Sequence, residues 1–462
     1  MLSPCKQIGL LHKQGQINMP YQQGRRLPSE KASKLGHLEV IQSPLVKKLC
    51  ENFNDPDFVL KPEGTSWQQI PDGGREMKIV FASDGSLQTI ESSSPPYKAI
   101  AFVKTALLKL DQYSISKIDK ENPNPFTLRD IMKESALFHA TSFPLRHVII
   151  PGKSIYHSVR EILYQSIKDQ GLNNSLNGAM MDTLKWIAFE KWSPKQKSEL
   201  EKFGCPYCRE KTGVDHATLP FDEEIGTCPN CGHEIYITDM FGLHQIMTED
   251  HAPSQVASDY MSISETLMIF TPIRYFWDNN KEILKNCFLI KDGPLSLRAT
   301  LAKLAAPIRR FFKYAKENGY DICMIGQEKS GLFFDHLQLI GRNAPTNSYF
   351  IPNNEYIRNE IQHNNLTSTY GIYTNYGAKI FLKINDYHQM VLNIPTGLSD
   401  EGVKNPSDEN LIGFKNIIKS LIHLLSNKYE GAILPIELVN GIASLSTYPS
   451  AKVLELFSES VH

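Results

Sequence analysis

Apolar positions in this chain fall into two kinds of run. Short unbroken runs that lead into an acid stand out first. Ile79-Val80-Phe81-Ala82 continues as Ser83-Asp84-Gly85-Ser86-Leu87, and Cys287-Phe288-Leu289-Ile290 continues through Lys291 to Asp292-Gly293-Pro294-Leu295. Four consecutive apolar residues predict a buried strand, and Asp-Gly followed by Ser or Pro predicts its end. After the Ser-Ser-Ser-Pro-Pro turn, residues 97–103 predict a strand that pairs with the first as a hairpin, and 107–110 a short third one. Further strands are expected at 320–326, 379–384 and 390–394.

The second kind of run has apolar residues three and four apart. It predicts helices over 127–138, 154–168, 178–192, 261–277, 297–316, 410–425 and 435–445. Leu38, Val40, Leu45, Leu49 and Phe53 predict an earlier amphipathic helix. Residues 146–152 read as strand or loop, and 239–257 as a solvated polar linker. This order predicts a mixed α/β sheet with flanking helices. The expected division is an N-terminal extension (1–75), a sheet domain in two parts (76–115 and 255–462), a helical insertion (116–200) and a cysteine ribbon (201–240).

Composition narrows the class. The 462 residues carry 49 Lys and Arg against 50 Asp and Glu, so no global basic field draws the chain to nucleic acid, and any such contact must be local. No run approaches the length of a membrane span, and the first residues lack a signal-peptide core. Four of the eight cysteines form two Cys-x-x-Cys pairs and the rest are scattered, which is the usage of a reducing compartment; a cytoplasmic location is expected. No Gly-x-x-x-x-Gly-Lys-Ser/Thr pattern occurs, so motor activity would have to come from another chain.

The most specific motif is Cys205-Pro206-Tyr207-Cys208 followed by Cys228-Pro229-Asn230-Cys231. Two such knuckles predict one tetrahedral Zn²⁺ on four thiolates, a closed site that stabilises a small ribbon and does no chemistry. Charges of both signs flank it, so it does not read as a DNA-binding surface.

Asp84 and Asp292 point to different chemistry. A carboxylate at the end of a buried strand is costly unless a partner or a metal neutralises it. Two such strands side by side would aim two carboxylates at one point, a donor set for a hard divalent cation. Taken singly, each Asp-Gly is equally a strand followed by a turn. Glu265, early in the 261–277 helix, is the best-placed third carboxylate; the competing reading is an exposed acid at a helix start. The 297–316 helix carries Arg298, Lys303, Arg309, Arg310, Lys313 and Lys316 with no acid before Glu317, a face suited either to phosphates or to solvent.

These motifs resemble the NurA nuclease family. The resemblance covers roughly residues 78–110 and 260–445. It lies in Asp84-Gly85-Ser86, in residues 289–295, in Arg298, in Met324-Ile325-Gly326 leading to Lys329-Ser330, and in residues 431–440. It implies an RNase H-like fold related to the catalytic part of Argonaute proteins. It also implies a DNA nuclease dependent on Mn²⁺ or Mg²⁺, and a dimer docked on a hexameric HerA-type ATPase. The implied roles are DNA end processing or antiviral defence. Asp84 and Asp292 match the family's metal-binding aspartates, and Glu265 is placed as the intervening glutamate. Arg298, Arg309, Lys313 and Lys329 are candidates for the DNA backbone. The C-terminal motif departs: Ala432 and Asn440 stand where the family has Tyr and a metal-site His. Asn can ligate a hard cation through its carbonyl oxygen but cannot act as an acid or base. That leaves open a nuclease with an altered site, a catalytically weakened adaptor of the motor, and, on the cysteines alone, a zinc-ribbon nucleic-acid regulator.

Overall fold

The computed structural model describes residues 40, 42–52, 65–92, 94–118, 124–169, 179–298, 303–364, 366–398, 405–428, 430–446 and 450–461. Residues 1–59 and 60–462 form separate compact units. In the first unit the helix expected over 38–53 is observed at Pro44–Glu51, started by Ser43, whose hydroxyl accepts from the Val46 amide at 3.4 Å. Leu38 and Phe53 lie outside the described residues.

Among the described residues, the second unit is built on one nine-stranded mixed sheet. Its strands are β1 (Gln68–Gln69), β2 (Ile79–Glu91), β3 (Ala99–Asp111), β4 (Ala136–Arg146), β7 (Cys287–Asp292), β8 (Cys323–Glu328), β9 (Ser348–Phe350), β10 (Ala378–Lys383) and β11 (Gln389–Ile394). They lie in the order β1-β9-β10-β11-β8-β7-β2-β3-β4; β5 (Ile225–Thr227) and β6 (Glu234–Tyr236) form a separate two-stranded ribbon beside the cysteines. β2, β3 and β4 are an antiparallel meander, while β7 runs parallel to both β2 and β8.

The central strands are apolar on both faces, as a sheet covered by helices on each side requires. Phe81, Leu289 and Met324 face one core with the Gln255–Asn279 and Ala305–Glu317 helices. Val80, Ile290 and Ile325 face the other with the Phe414–Ile422 and Leu434–Ala443 helices. The helices expected over 154–168, 178–192, 261–277, 410–425 and 435–445 are present with ends shifted by a few residues, 178–192 for example being helical over Ala179–Ala188, whereas the α-helix expected over 297–316 is observed only over Ala305–Glu317.

Three sequence expectations are corrected. β2 does not stop at Asp84-Gly85: it pairs with β3 without interruption from Ile79↔Asp111 to Glu91↔Ala99, and 107–110 is the end of β3 itself. A continuous partner supplies every ladder hydrogen bond, which overrides the local turn preference of Asp-Gly. The helix expected over 127–138 ends at Ser135, and Ala136–Arg146 is the edge strand β4, paired with β3. The 116–200 stretch therefore contributes to the main sheet as well as helices. Finally, 239–257 is not a solvated linker. Asp239 and His244 are buried, and the Arg160 guanidinium donates to both Asp239 oxygens at 2.9 and 2.8 Å.

Candidate active site

β2 and β7 stay in parallel register up to Ser83↔Lys291. The next residue on each is an aspartate, so Asp84 and Asp292 stand side by side where the strands part. β7 ends there, and Gly293 turns the chain at φ +84°. The third carboxylate comes from the Gln255–Asn279 helix, which crosses β2 at Gly85. A Cβ on Gly85 would lie 2.6 Å from Glu265 Oε1 and 2.6 Å from Met261 Cγ, so any larger residue there would push these two side chains from their places. Glu265 is buried here, against the reading of an exposed acid at a helix start.

These carboxylates line an open cleft of about 740 Å³, together with Lys291, Arg298 and Lys329. Asp84 is buried. Its Oδ1 accepts from the Gly85 amide at 2.7 Å, and its Oδ2 is buried without a hydrogen-bond partner among the described residues. Burial first, then the charges of Asp292 and Glu265, raise the Asp84 carboxyl to about 7; the Asn440 carboxamide and the Lys329 ammonium pull it partly back. Glu265 meets Lys291 at 2.8 Å, and Asp292 meets Lys329 at 2.7 Å. Burial raises the Glu265 carboxyl above the usual range despite Lys291. Burial also disfavours the Lys291 ammonium, but Glu265 more than offsets this and holds it charged.

The cleft thus collects Asp84, Glu265, Asp292, Arg298 and Lys329, with Asn440 beside Asp84. Ala432 is fully buried and brings no polar side chain. Arg309 and Lys313 are placed elsewhere. The Arg309 guanidinium donates to the Asn375 carbonyl at 2.7 Å beside a neighbouring cavity of about 50 Å³, and Lys313 lies 3.8 Å from Glu317. The basic helix face is largely engaged by acids: Arg298 with Asp259 at 2.7 Å, Lys303 with Asp215 at 3.0 Å, Arg310 with Glu190 at 2.7 Å. To the two readings of these cations, phosphate-holding or solvent-facing, the structure adds a third element: acids from other segments engage Arg298, Lys303 and Arg310.

Lys291 was not singled out from sequence. The available signal was a lone lysine in an apolar strand, immediately before the aspartate. Glu328 was missed as well: it lines the cleft, accepts from Asn393 Nδ2 at 2.7 Å and pairs with Lys379.

The four knuckle cysteines converge in the second unit, with all four sulfurs within 4.8 Å of one another. Cys205–Cys231 and Cys208–Cys228 sulfurs are 3.7 and 3.8 Å apart, close to the roughly 3.8 Å edge of a tetrahedron with Zn–S near 2.3 Å. The Tyr207 amide donates to Cys205 Sγ at 3.4 Å. Burial opposes ionisation of Cys228, but the backbone amides of Cys231 and Asn230 more than offset it and bring the thiol to about 6. His216 joins this group unannounced by the motif. Its Nε2 lies 3.1 Å from Cys208 Sγ and 3.4 Å from Cys228 Sγ, while its Nδ1 donates to the Val214 carbonyl at 2.9 Å. The donor set and spacing fit zinc.

No protein-family model and no curated protein matches this chain. Among solved structures it is similar to "Crystal structure of NurA", at 9% identity and a TM-score of 0.27, covering 94% of this chain and 97% of that one. It is similar also to "Crystal structure of NurA with manganese", at 10% identity and a TM-score of 0.22, with the same coverage. No helix among the described residues is long and apolar enough to cross a membrane.

Proposed function

We propose that this protein is a NurA-like DNA nuclease that hydrolyses phosphodiester bonds with the help of Mn²⁺ or Mg²⁺. The observation that carries the reading is the buried Asp84 carboxylate, whose Oδ2 has no hydrogen-bond partner within bonding distance among the described residues, set beside Asp292 at the open end of two parallel strands. A carboxylate oxygen without a donor in a cleft lined by further carboxylates is a poor feature of a fold and a good ligand for a hard cation. The RNase H-like reading of the fold is supported by the antiparallel β2-β3-β4 meander, the helix that follows it, and the parallel strands β7 and β8.

Asp84, Asp292 and Glu265 would hold the ion, with the Asn440 carboxamide beside Asp84. A bound divalent ion supplies Lewis acidity toward a phosphodiester oxygen and acidifies water for attack at neutral pH. The chain supplies the rest. Lys329 and Arg298 at the cleft margin hold the DNA backbone in place, and the buried carboxylates stay fixed by the helix packed on Gly85. Zn²⁺ on Cys205, Cys208, Cys228 and Cys231 stabilises the ribbon. A dimer working with a hexameric HerA-type DNA-translocating ATPase, in end processing or antiviral defence within the cytoplasm, completes the reading.

A second reading is favoured by one observation: neither Ala432 nor Asn440 offers an acid or base to the cleft. On it, the chain is a catalytically weakened DNA-binding adaptor of the same motor.

Cleavage of linear and circular DNA by the purified protein, with Mn²⁺, Mg²⁺ or EDTA, alone and with a HerA-type ATPase, separates the two. Metal-dependent cleavage lost in Asp292→Ala supports the nuclease. DNA binding without cleavage in either setting supports the adaptor, and cleavage that survives Asp84→Ala/Asp292→Ala rejects the site.

A further inference from the structure

The floor of the cleft contains a cation of its own. Lys291 Nζ lies 2.8 Å from Glu265 Oε2 and donates to the Asp292 carbonyl oxygen at 3.0 Å. The Lys291 and Glu265 side chains are 3% and 7% exposed, whereas Lys329 on Asp292 is 29% exposed. That difference decides which pair can open. Lys329 can swing toward solvent and yield its place on Asp292 to an incoming cation, taking a phosphate instead. Lys291 is rooted in β7 beneath the carboxylates, and parting it from Glu265 would leave two buried charges unpaired. The other Glu265 oxygen, Oε1, is pressed against the β2 backbone at Gly85.

We propose that Lys291 is a resident cation of the cleft that neutralises Glu265, leaving Asp84 and Asp292 to hold a single divalent ion. The inference rests on the metal-dependent reading above and revises the role of Glu265 within it, from ligand to the anchor of Lys291. Charge supports it. Glu328 is paired with Lys379 and Arg298 with Asp259, which leaves Asp84, Glu265 and Asp292 facing Lys291 and Lys329; once Lys329 moves onto a phosphate and Glu265 is matched by Lys291, the Asp84–Asp292 pair carries the charge that one divalent ion balances. A second ion on Glu265 would stand beside a fixed ammonium in a poorly solvated floor, where like charges repel strongly.

The test counts ions without using activity. Zinc-loaded full-length protein is titrated with Mn²⁺ and free Mn²⁺ is read by electron paramagnetic resonance, with Asp292→Asn as the blank. One Asp292-dependent ion per chain is expected. The K291M/E265Q double variant removes both charges of the buried pair together and is expected to keep that ion with affinity within about threefold of wild type. K291M alone, where it folds, is expected to bind a second ion on the released Glu265. Two ions on the wild-type protein, or a loss of about tenfold or more in the double variant, would overturn the inference while leaving the nuclease reading intact. No Asp292-dependent ion on the wild-type protein overturns the metal-dependent reading itself, and this inference with it.

Discussion

Lys329 Nζ lies 2.7 Å from Asp292 Oδ2 at the margin of the cleft, with 29% of the lysine side chain open to solvent. An ion pair this exposed is weak and exchangeable. Lys329→Met is therefore expected to tighten Mn²⁺ binding by about threefold to tenfold at low salt, because the competing cation is gone. It is also expected to weaken DNA binding, lowering the slope of log affinity against log salt by about one. Metal titration and DNA binding at several salt concentrations check both, and a change in only one of the two would separate the metal role from the phosphate role.

Gly85 is where the glutamate-bearing helix touches the aspartate-bearing strand. Gly85→Ala places a methyl group 2.6 Å from Glu265 Oε1 and Met261 Cγ. At Gly85 β2 is paired with β3 on one side only, and the Glu265 and Met261 side chains must give way or the helix must shift. A stability loss of about 1–3 kcal/mol by chemical denaturation is expected, together with weaker Mn²⁺ binding, while the sheet itself persists by circular dichroism. Unchanged stability would mean that the contact is looser than the geometry shows.

Stability should depend on pH in two opposed ways. Burial holds His139, His244 and His336 down to about 4, with Asp169 opposing the shift at His139. In the unfolded chain these groups titrate at the ordinary 6.5. Between 6.5 and 4 the unfolded state therefore binds protons that the folded state refuses, and stability is lost as pH falls through that window. Asp84 runs the other way: with a folded value of about 7 against the ordinary 3.8, its contribution favours the fold at acid pH and is lost as pH rises from 3.8 to 7. Metal-free Asp84→Asn is thus expected to melt a few degrees above wild type at pH 7.5 and to converge with it near pH 4. Thermal melts across this range test the sign; a lower melting temperature for Asp84→Asn at pH 7.5 contradicts it.

The cysteine cluster should act on the fold. Cys228→Ser is expected to release one zinc per chain, read with a chromogenic chelator, and to lower stability by about 3 kcal/mol or more, because the buried ribbon is tied together there. His216→Phe removes the nitrogen that lies 3.1 Å from Cys208 Sγ. It is expected to weaken zinc retention by about tenfold without emptying the site, as the loss of a group beside the ligands does.

Much of this protein is legible in the order of its residues because the signals are local. A run such as Phe288-Leu289-Ile290 can only be a buried segment, and two Cys-x-x-Cys knuckles can only usefully meet. The strand ending at Asp292, the central helices and the convergence of Cys205, Cys208, Cys228 and Cys231 all follow from patterns within a few residues. The three carboxylates are legible in the same way, from their positions after apolar runs and in a helix.

What the tertiary structure alone decided depends on partners well separated along the chain, up to 120 residues for Arg310 and Glu190, or on competition between neighbours. The Asp84-Gly85 pair has the chemistry of a turn, yet β3 offers thirteen residues of ladder and the strand runs straight through it. Ala136–Arg146 follows a helix without a break signal and becomes a strand because the edge of β3 is there to be paired. The cations of the 297–316 stretch look like a phosphate-binding face in sequence, but Asp259, Asp215 and Glu190 arrive from elsewhere to engage them. Lys291 reads as one charge in an apolar strand until the helix laid over Gly85 brings Glu265 onto it. Charge pairing and strand pairing act through space, so local pattern proposes the groups and the packed sheet chooses their partners.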